Sequence, residues 1–119
     1  MKVSTRKQDE IVIFDIEGDI SRIGIIDVTL HQLIKEQLDL GNIKILLNFE
    51  KVGFIDSFGV GEIVSSFISI KNMGGMLLRA NTARKIQMIF EVTMLEPIIP
   101  NHETIEMALE SFGSQNNIL

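Results

Sequence analysis

The amino-acid sequence predicts a single α/β domain, a mixed sheet of about five strands packed by about four α-helices. Three observations carry that prediction. The chain has 119 residues, the size of one compact domain, and 45% of them are hydrophobic, enough to bury one core. Apolar runs of strand type and runs of helical spacing alternate: strand, strand, helix, then strand and helix three times over. No repeat or linker breaks the succession, so residues 1–113 are read as the domain and 114–119 as a frayed polar tail.

Taken in order, Val3 to Arg6 reads as a short first strand and "IVIFDIEG", 11 to 18, as a buried β-branched strand ended by the Gly18-Asp19 turn signal. From about Ile26 to Leu40, the residues Ile26, Leu30, Leu33, Ile34 and Leu38 recur at helical spacing, with Gly41-Asn42 as the stop. "IKILLNF", 43 to 49, is apolar enough to be a central strand. A helix is expected from about Phe58 to Asn72, ended by Gly74-Gly75, and "MLLRA", 76 to 80, is the next strand. "TARKIQMIFEVT", 82 to 93, reads as a helix capped by Thr82, "PIIP", 97 to 100, as an edge strand, and Asn101 as the cap of a last helix to about Phe112.

Composition limits the function classes. A net charge of −5 with scattered Lys and Arg argues against nucleic acid, whose phosphates require clustered cations. The absence of cysteine removes disulfides, thiol chemistry and thiolate metal sites, and agrees with a reducing cytosol. No window approaches the roughly 18 apolar residues of a membrane span, and the charged amino terminus is unlike a signal peptide. A cytoplasmic protein without membrane, metal or cofactor is expected. Arg79, Arg84 and Lys85 read as a solvated charged face, and His31 and His102 as surface or capping residues.

The stretch "VGFIDSFGVGEIVSSF", 52 to 67, holds the candidate site. On a helical wheel Val60, Ile63, Val64, Phe67 and Ile70 form the buried face, while Phe58 falls among the polar Glu62, Ser65, Ser69 and Asn72. A large apolar residue is thus expected at the surface beside Ser57. Ser57 stands before the first helical residue, where a hydroxyl can serve as the cap. Gly59 and Gly61 each cost a helix roughly 0.5–1 kcal/mol relative to Ala, and leave the backbone around Ser57 open to another molecule. A phosphate on Ser57 would add about −1.5 to −2 charges at the positive end of the helix dipole, opposed by Asp56.

Here the chain resembles the STAS domains, specifically the bacterial anti-sigma-factor antagonists. The resemblance runs from the Gly18-Asp19-Ile20 turn through "LLNF", "FIDSFGVGEI" and the Gly74-Gly75 pair to the closing helices, and its most specific part is the Asp56-Ser57-Phe58-Gly59-Val60-Gly61 core. It implies that Ser57 is phosphorylated by a partner anti-sigma factor that is itself a serine kinase. It further implies that the unphosphorylated protein binds that kinase and frees a sigma factor, and that a serine phosphatase resets the switch. Asp19, Ser21, Asp56, Ser57, Phe58, Gly59 and Gly61 are the partner-binding residues so implied; the sequence leaves open whether the protein is a monomer or a weak dimer. Two positions depart from the pattern. Phe58 stands where a second hydroxyl residue is frequent, and Ser21 where an aspartate often lines the surface.

Three other readings compete. A serine hydrolase lacks both the Gly-x-Ser-x-Gly elbow and an assembled base, so no enzyme is expected. Nucleotide binding at the helix terminus lacks the lysine of a P-loop. A STAS scaffold independent of phosphorylation would keep Ser57 only as a helix cap and use Phe58 as a permanent anchor.

Overall fold

In the computed structural model, which describes residues 1–22 and 28–116, five strands and four helices form one layered domain. The sheet has the order β1-β2-β3-β4-β5. β1 (Lys2–Gln8) runs antiparallel to β2 (Ile11–Ile20), and β3 (Lys44–Ile55), β4 (Met76–Ala80) and β5 (Asn101–His102) continue parallel to β2. The mixed sheet and four helices agree with the predicted fold class.

Period-two alternation divides the central strands between two cores. Val12, Phe14, Ile16, Ile45, Leu47 and Phe49 face α1 (Leu30–Asp39), α2 (Ser57–Asn72) and α3 (Arg84–Val92). Ile11, Ile13 and Leu46 face α4 (Ile105–Asn116) through Ala108 and Phe112. The second face turns polar along the strands, where Asp15 accepts from Arg6 (2.8 Å) and Asn48 (2.7 Å), and Asn48 in turn accepts from Asn81 (3.1 Å). Partial burial raises the Asp15 pKa, but these donors and the Arg6 charge outweigh it and hold the carboxyl below its ordinary value.

Several boundaries differ from expectation for identifiable reasons. β2 does not stop at Gly18; with φ of +99° the glycine bends the strand, which continues to Ile20. β3 likewise runs six residues past Phe49, because Glu17, Gly18, Asp19 and Ile20 pair with Lys51, Val52, Phe54 and Ile55. Two bulges in that pairing break the alternation by which a strand is recognised. α1 opens at Leu30 behind a capping box in which Thr29 and Gln32 satisfy each other's backbone N–H groups, and the expected start at Ile26 lies outside the described residues.

The end of the chain is rearranged relative to expectation. "PIIP" is a turn rather than a strand, held by Ile98 and Ile99 donating to the Leu95 carbonyl at 3.0 and 2.8 Å, and pairing with β4 is confined to Asn101 and His102. Asn101 is therefore a strand residue, and Thr104 caps α4 by accepting from the Met107 N–H at 3.0 Å. Thr82 does not cap α3; its hydroxyl accepts from Arg79 and donates to Asn101 at 2.7 Å. Arg79, expected on a solvated face, is fully buried. Its guanidinium lies 3.6 Å from the centroid of Phe90 and donates to the Ile99 carbonyl, Thr82, Gln87 and Glu96. Burial pushes its pKa down to about 10 with Glu96 opposing, so it stays charged at neutral pH. His102 lies in β5, not at a helix start. α4 continues to Asn116, three residues into the expected tail, and 117–119 lie outside the described residues.

Candidate functional site

β3 leaves the sheet at Ile55, and Asp56, extended at φ −99° and ψ −176°, turns the chain into α2. The cap is Asp56 and not Ser57. Its Oδ1 accepts from the Gly59 N–H at 2.8 Å, and its Oδ2 accepts from the Arg22 N–H at 3.1 Å. Donation from Gly59, with Arg22 adding to it, holds the Asp56 carboxyl below its ordinary pKa. One short side chain therefore closes the helix terminus and ties down the end of β2.

Ser57 is the first helical residue and is exposed. Its hydroxyl is not the cap, because the capping bond runs from the Gly59 N–H to Asp56. The first-turn N–H groups that face this end of α2 carry the positive pole of the helix.

Phe58 is half-buried rather than fully exposed, with the Arg22 guanidinium 5.8 Å from its ring centroid. Asp19, exposed at the end of β2, pairs with Phe54 of β3, whose side chain is 49% exposed. Asp19, Phe54, Asp56, Ser57 and Phe58 thus share the end of the sheet from which α2 begins.

Two of the expected surface residues lie beneath it. Ser21 is 6% exposed, so it does not take the place of a surface aspartate. Gly59 is buried, and a Cβ there would stand 1.9 Å from the Ile20 carbonyl oxygen. Its glycine serves close packing of α2 on β2 and not access for a partner. Gly61 is exposed, and a Cβ there would meet nothing within 4 Å among the described residues beyond its own turn of helix.

The buried stripe of α2 is also displaced from the wheel: Gly59, Ile63, Ser66 and Ile70 are buried, while Val60 and Phe67 pack at the margin. Ser66 is accommodated because its hydroxyl donates to the Glu62 carbonyl at 2.7 Å. The supposedly polar face meets α1 instead: Glu62 accepts from the His31 N–H at 3.1 Å, and the His31 Nε2 lies 2.8 Å from the Ser69 hydroxyl. A carboxylate at the start of α1 favours that helix. His31 is accordingly a part-buried link between helices rather than a surface residue.

Arg22 and Phe54 were not singled out by sequence reasoning. Arg22 follows a strand whose end was misplaced, and Phe54 lies in the part of β3 disguised by its bulges. The run "FIDSF" is the only local signal that two aromatic rings flank the turn.

No helix among the described residues is long and apolar enough to cross a membrane, and no group of three or more His, Cys, Asp or Glu among them could hold a metal ion.

Comparison with known proteins places the chain in a family. A Thermotoga neapolitana protein named as an anti-sigma factor antagonist homolog is 35% identical over 75 residues, covering 63% of this chain. The match takes in 66% of that relative, slightly under two thirds of its length. The crystal structure of a Thermotoga maritima protein titled as an anti-sigma factor antagonist superposes with a TM-score of 0.79 at 26% identity, over 92% of each chain. The Bacillus cell fate determinant SpoIIAA, in its phosphorylated form, shares the fold with a TM-score of 0.71 at 20% identity, over 93% of this chain and 99% of its own. The family model of the STAS domain matches residues 2–108, from the first strand into the last helix, and the chain belongs to the STAS domain family.

Proposed function

We propose that this chain is an anti-sigma-factor antagonist whose binding is switched by phosphorylation of Ser57. The observation that carries the reading is the division of labour at the start of α2: Asp56 caps the helix, and Ser57 presents an exposed hydroxyl on its first residue. A kinase can reach that hydroxyl without opening the fold. The names of the relatives and the phosphorylated fold-mate SpoIIAA support the same reading.

Unphosphorylated, the protein binds an anti-sigma factor that is a serine kinase, through Asp19, Asp56, Ser57, Phe58 and Gly61, with Phe54 beside them, and a sigma factor is released. Phosphorylation adds about −1.5 to −2 charges next to Asp56, and a partner covering the site would have to desolvate the dianion. A penalty of about 3–4 kcal/mol lowers affinity by roughly two to three powers of ten, enough for an on/off response. A serine phosphatase restores the binding form. The protein acts by binding rather than by catalysis, in the cytoplasm.

The test is phosphosite mapping on protein recovered from growing and stressed native cells, joined to partner capture by the parent, Ser57→Ala and Ser57→Asp. Phosphate on Ser57 in one state only, and loss of the partner with Ser57→Asp alone, is the expected result. An unmodified Ser57 in every state, with Ser57→Asp still holding the partner, would overturn the switch.

A further inference from the structure

We propose that Arg22 registers the charge on Ser57: its guanidinium rests on Phe58 while Ser57 is free and moves onto the phosphate when Ser57 is modified. The inference rests on Ser57 being the modified residue and names the group that answers the modification.

Arg22 touches both neighbours of Ser57 in sequence. Its backbone N–H donates to the Asp56 carboxylate at 3.1 Å, and its guanidinium carbon stands 5.8 Å from the Phe58 ring centroid. The backbone is thereby fixed while the side chain remains exposed. Among the described residues, no carboxylate lies within ion-pairing distance of the guanidinium.

The phosphate needs a counter-charge from nearby. Asp56 is itself anionic, and two backbone N–H groups keep it so, which makes it a source of repulsion. The N–H groups at the start of α2 supply part of the compensation. Arg22 supplies a full positive charge with a planar fork that matches a phosphate in bidentate geometry, a stronger contact than an exposed cation over a ring. Phosphorylation then alters two features together: the cation leaves the aromatic ring, and it is no longer available to an acidic group on a partner. A surface of capped Phe58 with a free arginine becomes bare Phe58 with a paired one.

The experiment uses full-length protein with phosphoserine placed at position 57 during translation, so that no kinase is required. The second pKa of the phosphate, ordinarily about 6, is read from the phosphorus NMR shift against pH in the parent, Arg22→Gln and Arg22→Lys backgrounds. Loss of the guanidinium in Arg22→Gln is expected to raise that pKa by about 0.5 unit, with Arg22→Lys closer to the parent and the differences shrinking in molar salt. Titration curves that agree within about 0.1 unit in all three backgrounds would overturn the role of Arg22. An unmodified Ser57 in native cells would end the switch reading yet leave this titration unchanged, so the two failures are distinguishable.

Discussion

Gly59 and Gly61 lie two residues apart in one helix, and the same added methyl should act on them in opposite directions. At Gly59 the new Cβ would stand 1.9 Å from the Ile20 carbonyl oxygen and 2.9 Å from both the Ile20 carbonyl carbon and Ile55 Cγ2. The nearest obstacle is backbone and cannot rotate aside. The start of α2 must therefore retreat by about 1 Å or more in a region packed at crystal-like density. Overpacking of this kind costs about 1–3 kcal/mol, and a rigid obstacle places Gly59→Ala near the upper end even after the gain in helix propensity. At Gly61 nothing among the described residues beyond its own turn of helix lies within 4 Å of the new Cβ, so Gly61→Ala should stabilise by about 0.5–1 kcal/mol. For a domain of this size the melting temperature moves by about 3–5 °C per kcal/mol. Gly59→Ala should thus melt roughly 10 °C below the parent and Gly61→Ala about 3 °C above it, with urea midpoints shifting in the same sense. A Gly59→Ala protein within about 2 °C of the parent would refute the claim that glycine is demanded there by contact with β2.

Three further outcomes follow from other parts of the fold. Arg79→Met should destabilise by about 2–4 kcal/mol in urea titration, because it leaves the Glu96 carboxylate and the Ile99 carbonyl without their buried donor. Ser57→Ala should change the melting free energy by less than about 0.5 kcal/mol, since Asp56 carries the cap. His102 gives a pH dependence: burial lowers its pKa below 6.5, with Glu96 opposing and Arg79 assisting, and its buried Nε2 has no hydrogen-bond partner among the described residues. Because the unfolded chain then binds the proton more readily, the neutral-imidazole stability is complete above about pH 6.5 and is lost as pH falls through the lower folded value. His102→Phe should flatten that part of the stability curve, and an unchanged slope would contradict the assignment.

Much of the architecture could be read from the chain because the relevant signals are local. Leu30, Ile34 and Leu38 repeat at helical spacing, and "KILLNF" is apolar on both faces of a central strand. Misreadings arose where distant partners decide. The sequence ends the strand at Phe49 because two bulges place Val52 and Ile55 out of alternation, a pattern that makes sense only opposite Glu17 to Ile20. Arg79 looked solvated because its partners Thr82, Gln87, Glu96 and Ile99 converge only when the turn before β5 folds back. At the candidate site, the Asp56-Ser57 pair and the glycines mark the turn from β3 into α2. The assignment of roles failed between neighbours: a hydroxyl and a carboxylate can each cap, and only the bonds to Gly59 and Arg22 distinguish them. Gly59 likewise required the position of Ile20, which no local pattern supplies.

The placement of the cap on Asp56 also bears on how such a domain can change through descent. A residue with two duties is held in place by both, and neither can be lost without the other. Here the helix is capped by the aspartate and not by the hydroxyl beside it. A lineage could replace Ser57 in one step and retain a domain that folds and presents the same aromatic surface, constitutively. Under the switch proposed for Ser57, signal control would then disappear from a pathway while the binding surface itself persists.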